Sequence, residues 1–305
     1  MNIVFMGTPD FAVPTLKKLC DSKHNILAVY TQPDKPVGRK QVLTPSDVKV
    51  CALENGLEVR QPASLRDENS FNEISALDPD IIIVVAYGKI LPKNILDIPK
   101  YGCVNVHGSL LPKYRGASPI QSAVLNGDKL SGVTTMFMGE GLDTGDILLK
   151  SETEIGENET SAELFDRLAE IGADLLIETI EKLESGLITP IKQDESKATY
   201  TKKITKDMSL INWAQPNYII HNQVRGLQTW PVALTKLSGK DLKIHSTFKC
   251  DKSGEPGTVI CAAPLTVACS EGSLIIDELQ LSGKKRMKSD AFLLGHPLSV
   301  GDKLG

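Results

Sequence analysis

The apolar positions of this chain follow two different rhythms. Through the first 190 residues, short apolar runs alternate with stretches of helical spacing. Residues 2–6 form an apolar run that stops at Gly7, which predicts a strand. Residues 11–22 space Phe11, Leu16, Leu19 and Cys20 as a helix does, with Asp10 placed to cap it. A second strand is predicted at 26–31, then a loop at 32–45 rich in Pro, Gly and basic residues. Residues 46–55 read as a helix capped by Ser46, and 71–77 as helical. The run at 80–86 is continuously apolar, as a parallel strand covered on both faces should be. Residues 104–107 form another strand, followed by an irregular loop at 108–116. A helix is expected at 119–126, a strand at 132–138 and a long amphipathic helix at 160–185, where Thr160 and Glu163 form a capping box. This alternation predicts a Rossmann-like, doubly wound α/β domain over residues 1–189, built on a mostly parallel sheet.

The second rhythm begins after a polar, weakly periodic stretch, which places a linker at 190–206. Beyond it come β-like runs at 232–237, 242–248, 257–260, 265–268 and 273–281, punctuated by Gly, Pro, Asp and Ser. That spacing fits a small antiparallel β-barrel, OB-like, over 207–305. The chain shows no internal repeat and no low-complexity tract.

Composition narrows the class. With 305 residues, 41% hydrophobic and 24% charged, the chain has material for ordinary cores. It has no apolar run of the ~18 residues that a membrane span needs, so no membrane association is expected. The N-terminus enters a strand pattern directly, and no signal peptide is expected. Its 6 cysteines form no C-x-x-C pair, which fits reduced thiols in the cytoplasm and predicts no metal site. Cys103, inside a candidate catalytic strand, reads as a small buried apolar side chain rather than a nucleophile. The net charge of −4 argues against a protein that coats nucleic acid. It is unevenly spread: residues 206–305 hold 12 basic and 9 acidic side chains, leaving 22 and 29 for residues 1–205. A polyanion contact in the C-terminal part is therefore permitted.

The candidate chemistry begins at Asn105-Val106-His107-Gly108-Ser109-Leu110-Leu111-Pro112. Residues i and i+2 of a strand share a face, so Asn105 and His107 project together. An uncharged amide donor beside an imidazole suits a developing oxyanion and a proton transfer. The second element is Gly139-Glu140-Gly141-Leu142-Asp143-Thr144-Gly145-Asp146, where Asp143 could orient His107 among glycines that permit unusual backbone angles. Glu140 and Asp146 read as turn or solvated carboxylates. The third is Phe5-Met6-Gly7-Thr8-Pro9-Asp10-Phe11, a turn and helix start, with contact to an amine-bearing substrate as the sharper alternative. It lacks the G-x-G-x-x-G spacing, which speaks against a nicotinamide-dependent enzyme.

These blocks, together with Thr31-Gln32-Pro33-Asp34 and Gly141-Leu142-Asp143-Thr144-Gly145, resemble the 10-formyltetrahydrofolate-dependent formyltransferases. In order, and over almost the whole chain, they resemble the branch whose acceptor is initiator methionyl-tRNA. The resemblance implies transfer of a formyl group from 10-formyltetrahydrofolate to the α-amino group of that tRNA. It implies Asn105, His107 and Asp143 as the catalytic set, Ser109, Leu110, Leu111 and Pro112 as the folate site, and no metal. Reduced folate and the charged tRNA would be the partners, with a monomer expected.

The acceptor needs its own argument. The loop at 33–45 is long for a βα connection, where about 2–6 residues is usual, and Lys35, Arg39 and Lys40 could meet tRNA phosphates. In the resembled family this loop wedges into the acceptor stem, and Arg39 matches its key residue. The plain alternative is a surface loop that happens to be basic. The lysines at 197, 202, 203 and 206 and the run Lys284-Lys285-Arg286-Met287-Lys288 could extend the track. Two rivals stand: a formyltransferase acting on a nucleotide sugar or purine precursor, and a tRNA-binding module without catalysis. The basic loop and the second domain argue against the first. The joint presence of Asn105, His107 and Asp143 argues against the second.

Overall fold

The structure, a computed structural model, describes residues 1–38 and 40–305. The chain forms two compact units. The first gathers Met1–Gly116, Ser131–Thr153 and Phe165–Tyr200, and the second Ala117–Leu130, Glu154–Leu164 and Thr201–Gly305.

The strands up to residue 201 are, in chain order, β1 (Asn2–Gly7), β2 (Asn25–Tyr30), β3 (Lys35–Val37), β4 (Val42–Thr44), β5 (Val59–Arg60), β6 (Ile81–Val85), β7 (Cys103–His107), β8 (Arg115–Gly116), β9 (Leu130–Phe137), β10 (Ile147–Glu154) and β11 (Tyr200–Thr201). Seven of them build one sheet in the order β10-β9-β7-β6-β1-β2-β5. The pairs β1–β2, β1–β6, β6–β7 and β2–β5 are parallel, and β7–β9 is antiparallel. The chain thus winds outward from β1 to β5, then returns to β6 and winds the other way. The winding reverses between β1 and β6, and in such sheets ligands bind beyond the carboxyl ends of the strands near that point. The central strand β6 is all Ile and Val and wholly buried, because β-branched side chains suit a pleat covered on both faces.

The helices are α1 (Val13–Cys20), α2 (Asp47–Glu54), α3 (Glu68–Ala76), α4 (Lys93–Leu96), α5 (Pro119–Asn126), α6 (Ser161–Glu184), α7 (Asn217–Gly226) and α8 (Ser289–Gly295). Side-chain capping explains three of their starts, those of α2, α3 and α6. Ser46 accepts from the Lys49 amide at 3.1 Å. The capping box is reciprocal: Thr160 Oγ1 accepts from Glu163 N at 3.3 Å, and the Glu163 carboxylate accepts from Thr160 N at 2.8 Å. The helix expected at 71–77 begins earlier, because Asp67 caps it by accepting from Ser70 N at 2.8 Å. Asp10 caps no α-helix. It accepts from its neighbour Phe11 N, within a 3-10 turn at Asp10–Ala12 that precedes α1.

The second unit holds β12 (Ala233–Leu237), β13 (Lys240–Cys250), β14 (Val259–Ala262), β15 (Leu265–Ala268), β16 (Ser273–Leu281) and β17 (Met287–Lys288). They form an antiparallel sheet ordered β12-β13-β16-β15-β14, with β17 paired to β16. The C-terminal residues join its two ends. Val259 N donates to Asp302 O at 2.8 Å and Leu304 N to Gly257 O at 2.8 Å, while Gly305 N reaches Lys236 O on β12 at 3.0 Å. Bridging the first and last strands in this way turns the sheet into the expected barrel and covers edges that would otherwise stay open. Its interior is a cluster that includes Leu242, Ile244, Val259, Leu265, Val267, Leu274, Ile276 and Leu279. Helix α7 had no counterpart in the sequence reading. Gly226 on α7 lets α5 approach closely, since a Cβ there would lie 2.8 Å from Leu125.

Candidate active site

Strand β7 delivers Asn105 and His107 to the carboxyl end of the sheet. Both are buried, at 9% and 6% exposure. Asn105 lies opposite Met136 and His107 opposite Thr134 on β9, so the two share one face of the pleat. His107 Nε2 lies 2.9 Å from the Tyr114 carbonyl. A carbonyl can only accept, so Nε2 carries the proton and Nδ1 is the ring atom left for chemistry. That atom faces Asp143, with Nδ1 and Oδ2 3.8 Å apart. This is too long for a hydrogen bond and close enough for an ion pair with a protonated ring.

Asp143 arrives on the loop between β9 and β10. Its φ is +52°, a left-handed conformation that non-glycine residues seldom adopt. Its Oδ2 accepts from Gly116 N at 2.8 Å. Gly145 in the same loop admits no side chain, because a Cβ would fall 1.7 Å from the Phe137 carbonyl oxygen. Of the three glycines in the sequence signal, Gly145 is the one packed against backbone, whereas Gly139 has open space beside it and Gly141 faces the Thr144 side chain.

The segment Ser109, Leu110, Leu111 and Pro112 is built rigidly. Ser109 Oγ donates to Lys113 O at 2.7 Å. Thr134 Oγ1 donates to Ser109 O at 2.7 Å and accepts from Leu111 N at 3.1 Å. Leu111 is packed with Met136 and Ile147, while Leu110 and Pro112 are half-buried. At the reversal point, a Cβ on Gly7 would meet Ala12 and Phe5 at 2.9 Å. Thr8 Oγ1 donates to Tyr87 O at 3.0 Å and accepts from Gln32 N at 3.4 Å, tying the ends of β1, β2 and β6 together. Thr8 thus serves the turn itself.

The structure brings Asn105, His107, Asp143 and the loop 109–116 into one cluster. Lys35 and Lys40 belong elsewhere, to a two-stranded ribbon of β3 and β4 where the sequence suggested a loop. Both are exposed. Arg39 lies outside the described residues. The ribbon is fixed at its base: Asp34 accepts from Lys49 Nζ at 2.7 Å and from Gln61 Nε2 at 2.8 Å. Hydrogen bonds from Lys49, then Gln61, hold the Asp34 carboxyl below the usual carboxylate range. Burial pushes the Cys103 thiol up to about 12, which suits its reading as an apolar side chain.

Four residues around the site escaped the sequence reading. The Arg115 guanidinium is fully buried, at 0% exposure. Gln193 Oε1 accepts from its Nε at 3.1 Å and its Nη2 at 2.8 Å. Glu195 accepts from Nη1 at 2.9 Å and Nη2 at 2.8 Å, and the Tyr200 hydroxyl accepts from Nη1 at 3.2 Å. These partners come from the stretch expected as linker. Arg115 lies in the loop read at 108–116, but no periodicity marks residues 78 positions apart as partners. Among the described residues, no group of three or more His, Cys, Asp or Glu is placed to hold a metal ion. No described helix is long and apolar enough to cross a membrane.

A doubly wound sheet with this cluster at its rim, followed by a separate antiparallel barrel, defines a two-domain α/β enzyme. Residues 1–180 match the family described as formyl transferase, and residues 203–297 match the formyl transferase C-terminal domain. The chain belongs to the formyl transferase family and is a transferase. It is similar along its whole length to the methionyl-tRNA formyltransferase of Trichlorobacter lovleyi, at 49% identity over 99% of this chain and 96% of that protein. The enzyme of the same name from Pelobacter propionicus is 51% identical over 100% of this chain and 96% of its own. Among solved structures, the N-formyltransferase from Helicobacter canadensis, in complex with folinic acid and dTDP-3-aminofucose, shares the fold. It aligns with TM-score 0.69 and 21% identity, over 90% of this chain and 97% of that one. HypX from Aquifex aeolicus, in complex with tetrahydrofolic acid, aligns with TM-score 0.64 and 17% identity, over 99% of this chain and 48% of that one.

Proposed function

We propose that this enzyme transfers the formyl group of 10-formyltetrahydrofolate to the α-amino group of initiator methionyl-tRNA, giving N-formylmethionyl-tRNA. The acceptor is supported by full-length relatives at 49% and 51% identity that carry that activity in their names. The donor is supported by the folate compounds bound to neighbours of the same fold. The observation that carries the chemistry is that the β9–β10 loop brings Asp143 Oδ2 to 3.8 Å from Nδ1 of His107, which shares β7 with Asn105.

In this reading the amine nitrogen attacks the formyl carbon, and the carbonyl electrons move onto oxygen. Asn105 and protonated His107 donate to that oxyanion. Asp143 holds His107 through their charge pairing and shares the base role through a water. The oxyanion then collapses, the bond from carbon to N10 of the folate breaks, and N10 leaves with the proton that the amine gave up. The carbonyl of Tyr114 matters here because it occupies Nε2 and turns the Nδ1 edge of the ring toward the reaction. Leu110 and Pro112, with Ser109 and Leu111 holding the segment, flank the folate.

The tRNA is assigned to Lys35, Arg39 and Lys40 and to residues 207–305, with catalysis in residues 1–189 and the join at 190–206. The enzyme works as a monomer in the cytoplasm. The test supplies formyl-folate with charged initiator tRNA, then with amino sugars. Removing one oxyanion donor typically costs about 10²–10³ in rate, so Asn105→Ala and His107→Ala should each slow tRNA formylation by that factor while remaining folded. Near-normal turnover in either variant, or product formed on the sugars alone, refutes the reading.

A further inference from the structure

We propose that Gln193 is a positioning residue for Asp143, locked in place by Arg115. This rests on the catalytic reading of Asp143 above. Asp143 sits at φ +52°, a left-handed conformation that strains a non-glycine residue and persists where neighbours enforce it. One side chain grips the backbone of this turn. Gln193 Nε2 donates to the Asp143 carbonyl at 2.8 Å and to the Gly145 carbonyl at 2.7 Å. Its Oε1 accepts from Arg115 Nε and Nη2, so both amide protons and both oxygen lone pairs are in use. Only a carboxamide of this length can donate twice on one side and accept twice on the other.

The contacts close on themselves. Arg115 precedes Gly116, whose N–H holds the Asp143 carboxylate at 2.8 Å. Asp143 is therefore gripped at its backbone by Gln193 and at its side chain by Gly116, and Arg115 joins the two grips. The same segment also governs the imidazole. Thr199 Oγ1 accepts from Tyr114 N at 2.8 Å, and Tyr114 O is the acceptor that orients His107. Residues 193–199 thereby set the geometry of both members of the pair. Misplacing a reacting group by about 1 Å can cost ~10²-fold in rate, which makes this grip a determinant of turnover.

Gln193→Met keeps the length and removes every hydrogen bond. Gln193→Glu keeps an acceptor for Arg115 but turns an oxygen toward two carbonyls, and it serves if the Met variant fails to fold. Both should lower kcat about 10–100-fold with the KM for formyl-folate little changed, while the thermal midpoint falls because buried partners lose their hydrogen bonds. In an Asp143→Asn background, neither should slow the enzyme further, because the residue acts through Asp143. Equal losses in both backgrounds, or a wild-type kcat in Gln193→Met, overturn the proposal. If Asp143→Asn is slow while the Gln193 variants are fast, this proposal alone fails. If Asp143→Asn keeps full rate, the role of Asp143 itself falls and takes the positioning role with it.

Discussion

Two polar stretches look alike in sequence and behave oppositely in the structure. Residues 33–45 and 193–200 are both rich in polar and charged side chains, and both lie between regular elements. The first becomes a ribbon that leaves even Val37, Val42 and Leu43 exposed, at 56%, 59% and 65%. It is tied to the sheet at its base through Asp34. The second turns Gln193 inward, at 5% exposure, and closes over a buried guanidinium. Buried polar groups must find partners inside the protein, so the hydrogen-bonding capacity of Gln193 is fully used. On the ribbon, Lys35 and Lys40 are exposed. One stretch can shape the site and the other can bind what comes to it.

The contrast breaks most sharply at Arg115. Arg115→Met should lower stability by about 3 kcal/mol, because it strands buried acceptors and disrupts a bidentate pair. Thermal unfolding reads this directly. By comparison, Lys40→Met on the ribbon should stay within about 0.5 kcal/mol of wild type. Equal effects at the two sites would erase the distinction.

A smaller effect is expected on RNA use. Replacing Lys35, Arg39 and Lys40 by Ala should weaken tRNA formylation and leave formyl-folate binding intact. The dependence of log K on log salt should become shallower by about 1 for each phosphate left without its cationic side chain. Unchanged tRNA kinetics and salt slope would reduce the ribbon to an ordinary surface loop.

The smallest effect concerns pH. Hydrogen bonding from Arg115 holds the Glu195 carboxyl below its ordinary range. A depressed carboxyl adds stability that is complete above its unfolded value of about 4.3 and fades as pH falls through the lower folded value. Melting curves between about pH 3 and 6 should therefore show an acid-side loss that Glu195→Gln lessens. An identical profile in the variant would mean that the pair contributes nothing to this pH dependence.

Much of the frame was readable because it is periodic. The strand expected at 104–107 is β7 with one residue added, and the apolar run at 80–86 contains β6. The capping box at Thr160 and Glu163 and the cap at Ser46 formed as read, since a cap is a local event between residues three apart. Short-range reading failed where an alternative lay nearby. Asp10 bonds its own neighbour, and Asp67 begins α3 ahead of the apolar pattern. Helix α7 was missed altogether, as were the partners of Arg115.

By itself the sequence determined the strand and helix alternation and the shared face of Asn105 and His107. It also placed Gly145 beside Asp143, because spacing along a strand dictates direction and only glycine fits where a Cβ would meet the Phe137 carbonyl. Tertiary structure alone decided that Asp143 meets Nδ1, and that Tyr114 occupies the other ring nitrogen. It alone carried Gln193 to the far side of the same loop. Those contacts join residues far apart in the chain through directional hydrogen bonds, which leave no period in the sequence and exist only once the backbone has closed around them.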